Sequence, residues 1–101
     1  MSSTLGILVN TDRHLDYVVA LARAASRKGI QTRIFFTGRG VLLTQKQAFA
    51  DLVGLARLAV CEVSFRANHL SGDVPGVGFK DFVTQAVHAE MVAECERYLV
   101  M

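Results

Sequence analysis

The chain has 101 residues, 51% of them hydrophobic and 20% charged, with a formal net charge of +2. That length holds one domain around one core, and the composition excludes the low-hydrophobicity, high-charge balance of a disordered chain. The basic residues are scattered without a run of about five or six, so no nucleic-acid partner is expected, and no apolar stretch reaches the ~18 residues of a membrane span.

Met1 to Thr4 lack the basic stretch of a secretory signal, and the two cysteines, Cys61 and Cys95, are too few for a disulfide scaffold. A cytoplasmic protein with free thiols is expected. So apolar a composition in so small a domain leaves apolar area facing outward, which points to self-association.

Leu5-Gly6-Ile7-Leu8-Val9 is a short apolar run ending in the turn chemistry of Asn10-Thr11-Asp12, and it reads as a buried strand. From Leu15 the period changes. Leu15, Val18, Val19, Ala22 and Ala25 fall at helical spacing, and Gly29 follows as the stop, with Arg27 and Lys28 beside the negative end of the dipole. Residues 32–37 are β-branched and aromatic, and the adjacent Phe35 and Phe36 would point to opposite faces of a sheet, so both faces need cover. A strand, a helix and a second strand of this kind make a right-handed parallel βαβ unit.

Between Leu42 and Leu55 the spacing of Ala48, Leu52 and Leu55 predicts a second helix. Residues 58–61 restart a strand that reaches Cys61, and Val63, Ala67 and Leu70 recur as on a short helix. The glycines and single proline of residues 71–78 predict a loop, with a vestigial strand around 77–79. A last helix is predicted over 80–95 and a closing strand over 97–101. The alternation predicts an α/β fold: a three-layer α/β/α sandwich with a mostly parallel sheet of four or five strands.

In such a sheet ligands bind beyond the carboxyl ends of the strands, here the loops after Val9, Phe36 and Cys61. Only the third holds a nucleophile. A thiol that closes a strand and opens a helix lies at the positive end of a dipole, which favours thiolate, and Arg39 or Arg66 would add to that. Glu62 follows directly and opposes ionisation unless its side chain turns to solvent. The competing reading is a packed, inert cysteine. His14, in Asp12-Arg13-His14, could donate a proton to the same pocket, against a solvated loop that caps the first helix.

The other candidates carry less. Gly38-Arg39-Gly40 has Leu43 where a dinucleotide fingerprint needs glycine, so it reads as a turn. His69 lies two helical turns from Cys61 and reads as a surface residue, and His88 forms no metal pair with its helical neighbours. Cys95 forms no CxxC with Cys61. Glu90 and Glu94 share a helix face and suggest solvent or a cationic partner. No metal or cofactor is expected.

The segment Val60-Cys61-Glu62-Val63-Ser64-Phe65-Arg66-Ala67-Asn68-His69-Leu70 resembles that of the DsrE/DsrF-like (DsrEFH) sulfur-relay family, in which a cysteine ends a strand before a short helix with a central arginine. The resemblance continues in the strand, polar loop and alanine-rich helix that end in Lys28-Gly29, in the glycine-bearing turn after Phe36, and in Glu96-Arg97-Tyr98-Leu99-Val100-Met101. It implies a small sulfur carrier in which Cys61 accepts sulfane sulfur as a persulfide and passes it on. It also implies donor and acceptor proteins as partners and a closed homo-oligomer, a trimer or hexamer. Members without a working cysteine are structural subunits of oligomers, which is the alternative reading. A phospho-receiver or flavin module would need an acidic cluster or phosphate loop, and Asp12 stands alone after the first strand.

Overall fold

In the structure, a computed structural model describing residues 4–101, the chain folds into an α/β domain on a five-stranded, all-parallel sheet. The side chains of Gln85, Val87, His88, Met91 and Val92 lie outside the description, and with them the expectation for His88. Strand β1 (Thr4–Val9), helix α1 (Leu15–Arg27) and strand β2 (Gln31–Phe36) form the expected βαβ unit. β3 (Arg57–Cys61), α2 (Glu62–Ala67), β4 (Phe82–Val83), α3 (Gln85–Glu94) and β5 (Arg97–Val100) complete the chain. The strand order is β4-β3-β2-β1-β5, so the chain moves outward from β1 to β4 and then returns to the other side of β1.

Strand alternation divides the core in two. Ile7 and Val9 of β1, Ile34 and Phe36 of β2, and Leu58 and Val60 of β3 belong to the larger cluster, together with Leu15, Val18, Val19 and Ala22 of α1. Phe35 and Cys61 form the smaller one, against Leu8, Ala59, Val83, Cys95 and Tyr98. The neighbouring phenylalanines thus serve opposite faces, as a period of two requires.

α1 ends as its sequence indicates. Gly29 takes a left-handed φ of 73°, its N–H reaches Ser26 O, and the N–H of Ile30 reaches Ala25 O, which satisfies the last carbonyls in a Schellman motif. At its start, His14 is the cap residue with φ 68°, and no side-chain cap bond forms. The helix instead begins on the His14 carbonyl, which accepts from the N–H groups of Tyr17 and Val18.

The helix predicted between Leu42 and Leu55 is replaced by two 3-10 segments, Gly38–Gln45 and Gln47–Leu52. The Thr44 hydroxyl donates to Val41 O at 2.7 Å, a local bond that competes with the α-helical pattern, and Lys46 is extended between the segments. Their apolar residues still reach the core: Val41, Leu43, Phe49 and Leu52 are fully buried, and Phe49 meets Phe36 edge-on at 5.2 Å.

Three smaller differences lie in the second half. The vestigial strand is Phe82–Val83, while Val77 makes only an isolated bridge to Val74. α3 begins at Gln85, because Lys80 and Asp81 belong to a 3-10 turn in which the Asp81 carboxylate accepts from the N–H of Gly78. On α2 it is Phe65 that turns inward, edge-on to Phe82, while Val63 is 72% exposed. The stripe of Val63 and Ala67 therefore faces solvent.

Candidate functional site around Cys61

Three connections leave the carboxyl ends of β1, β2 and β3, and side chains tie them together. The Asp12 carboxylate, after β1, accepts from the guanidinium of Arg39, after β2, at 2.8 Å. The Gly38 N–H donates to Ser64 Oγ on α2 at 2.9 Å. Asn68 adds a clamp by donating to Ser64 O at 2.8 Å and to Gly38 O at 3.3 Å. Gly40 lies against β1 so closely that a Cβ there would stand 2.2 Å from Val9 O.

Cys61 ends β3 and caps α2, and it is 3% exposed. Burial is the largest single influence on its thiol and pushes the pKa up. Against it act hydrogen bonds to sulfur from the Ser64 hydroxyl and N–H, the Thr37 hydroxyl and the Val63 N–H, and together they bring the thiol below the ordinary cysteine value of 9.0. Ser64 is well placed for this. Its oxygen already accepts from Gly38, which leaves its hydroxyl hydrogen for an acceptor, and the Thr37 oxygen lies 3.4 Å away.

The charged residues proposed from sequence are occupied elsewhere. Arg39 pairs with Asp12, whose carboxyl its hydrogen bond holds below the usual range. Arg66 pairs with Glu62 at 2.6 Å on the exposed side of α2, so the carboxylate next to the cysteine turns to solvent. His14 sits at the start of α1 with its ring 5.6 Å from that of Tyr17. None of Arg39, Arg66 and His14 is among the largest influences on the Cys61 thiol. Hydroxyls and backbone amides take the part foreseen for arginine.

Sequence reading missed Thr37 and Ser64. The available signal was the serine three residues after Cys61, the position from which a side chain reaches back to a helix cap.

Cys95 shares the smaller cluster with Cys61 but not its chemistry. Burial raises its pKa, which Arg33 only partly offsets. Its sulfur lies over Gly6, whose row in the sheet runs through Arg33 to Arg57, four residues before Cys61. Four residues along a strand and two strands across put the sulfurs roughly 16 Å apart, outside disulfide reach. His69 holds a backbone position: with φ 61° it ends α2 as Gly29 ends α1. Among the described residues no three His, Cys, Asp or Glu side chains group as a metal site.

Fold and site together define an open, parallel α/β domain with a hydrogen-bonded thiol at the carboxyl end of a strand. Compared with known proteins, the chain matches no family model, no curated protein and no solved structure. No helix among the described residues is long and apolar enough to cross a membrane.

Proposed function

We propose that the chain is a small sulfur carrier of DsrE/DsrF-like type, with Cys61 as the shuttling atom. The observation that carries this reading is the set of four hydrogen bonds that favour thiolate at Cys61 despite burial. In the first step the Cys61 thiolate attacks the outer sulfur of a donor protein's persulfide. The donor's S–S bond breaks, the donor cysteine leaves as thiolate, and Cys61 carries the persulfide. In the second step an acceptor thiolate attacks that outer sulfur and Cys61 leaves as thiolate, again held by Ser64 and Thr37. No net oxidation occurs, and no cofactor or metal takes part.

The same reading gives the domain a DsrEFH-like, three-layer form. The crossovers from β1 to β4 run one way along the sheet and the return to β5 runs the other, so right-handed connections put α3 on the face opposite α1. A cytoplasmic homo-oligomer, trimeric or hexameric, with donor and acceptor proteins as partners, belongs to this proposal. At 3% exposure, sulfur transfer requires α2 and the turn at residues 37–40 to part slightly.

That low exposure also favours a second reading, in which Cys61 only packs and the chain is a structural subunit. Incubation with a persulfide donor followed by mass spectrometry separates the two. The carrier gains one sulfur atom, loses that gain in Cys61→Ser and keeps it in Cys95→Ser. Equal gain in both variants, or none in the native chain, removes the carrier assignment.

A further inference from the structure

A second polar region lies at the opposite end of the sheet. Arg33 of β2 and Arg57 of β3 are register partners on adjacent parallel strands, so their side chains leave the sheet on the same face, about 4.8 Å apart at their bases. Like charges placed directly across a strand pair repel unless something negative joins them. Glu94 of α3 answers only the first, bonding Arg33 at 2.5 Å. For Arg57 no carboxylate among the described residues comes within ion-pair distance.

Beside this pair opens a cleft of about 630 Å³ at the amino ends of β1, β2 and β3, lined by both arginines and by Thr4, Gln31, Leu55 and Glu94. Two guanidiniums and one carboxylate leave it with one surplus positive charge. A smaller recess of about 250 Å³ shares both arginines and adds Lys80, Asp81 and Glu90. Neither Asp81 nor Glu90 comes within ion-pair distance of Arg57 there.

We propose that this cleft binds a small organic molecule through a phosphate group held between Arg33 and Arg57. Two guanidinium forks side by side suit a tetrahedral dianion, which can accept from both at once. A carboxylate is the poorer match, because Glu94 already supplies one to Arg33. The cleft is several times larger than a phosphate group, so Thr4 and Gln31 remain for polar parts of the ligand and Leu55 for an apolar one. Arg57 stands four residues before Cys61 on the same strand, about 13 Å away. The site is therefore independent of the thiol, and its failure would leave the sulfur-carrier reading untouched.

Titrating the isotope-labelled chain with inorganic phosphate, read by amide chemical shifts, tests the proposal. The expected result is a saturable shift confined to residues 31–33 and 54–57. Arg57→Gln, an exposed position whose loss leaves the fold intact, weakens binding by about tenfold. Arg27→Gln, in the last turn of α1, binds as the native chain does. Acetate at equal concentration gives no saturable shift. Absence of saturation by phosphate, native-like binding by Arg57→Gln, or an equal response to acetate would each overturn the assignment.

Discussion

The thiol of Cys61 is subject to two opposed influences, and two hydroxyl side chains decide between them. Burial alone would keep the sulfur protonated, whereas donors from Thr37, Val63 and Ser64 favour the anion. Thr32 is the contrasting case. It is buried on the face of β2 that carries Ile34 and Phe36, and its Oγ1 has no hydrogen-bond partner among the described residues. An unsatisfied buried hydroxyl costs stability, while valine keeps the shape and the strand preference. Thr32→Val should therefore raise unfolding free energy by about 1 kcal/mol in denaturant titrations; a loss of stability would mean that the hydroxyl has a partner in solution. At this scale the sequence indicated the place of Cys61 at the end of β3. It did not indicate its partners, because Thr37, Ser64 and the amide of Val63 become neighbours of the sulfur only when two loops meet.

At the scale of elements, β1, β2, β3, β5 and α1 were legible because period and punctuation agree. Leu15, Val18, Val19, Ala22 and Ala25 are all buried, and Gly29 ends the helix with left-handed geometry. The segment from Gly38 to Leu52 was not, because its apolar spacing fits either helix type. The choice falls to the Thr44 bond to Val41 O and the extended Lys46. The start of α3 was misread for a similar reason: Asp81 stabilises a separate turn by holding the Gly78 N–H. The turn after β2 depends on a close approach as well as on backbone form. An ideal Cβ on Gly40 would lie 2.2 Å from Val9 O and 2.8 Å from Val9 C, both backbone atoms that cannot swing aside. Gly40→Ala should cost about 2–3 kcal/mol of stability, as overpacking does, and should disturb the neighbouring bond from Thr37 N–H to Val9 O. A neutral effect would show that the turn is looser than the geometry indicates.

At the scale of the molecule, the order β4-β3-β2-β1-β5 puts the longest strands in the middle and two short ones at the edges. Parallel strands were legible from the alternation of elements, but the order was not, since the return from β4 past three strands to β5 leaves no local mark. The apolar surplus expected from composition does face outward: Phe79 is 97% exposed, Val63 72% and Val100 58%. The same topology gathers the loops after β1, β2 and β3 at one end, where Arg39 to Asp12 and Gly38 to Ser64 bind them into one unit around the sulfur. The account as a whole depends on that unit delivering an ionised thiol that reagents can reach.

The most direct test is the pH dependence of Cys61 alkylation by iodoacetamide in the native chain and in Ser64→Ala, with each thiol followed by peptide mass spectrometry. The account predicts that Cys61 reaches half its maximal rate below pH 9.0 and Cys95 above it. Ser64→Ala should slow Cys61 at neutral pH by about tenfold, the worth of one hydrogen bond to a charged group. A Cys61 that stays unmodified until the chain unfolds, or that reacts identically without Ser64, would contradict it.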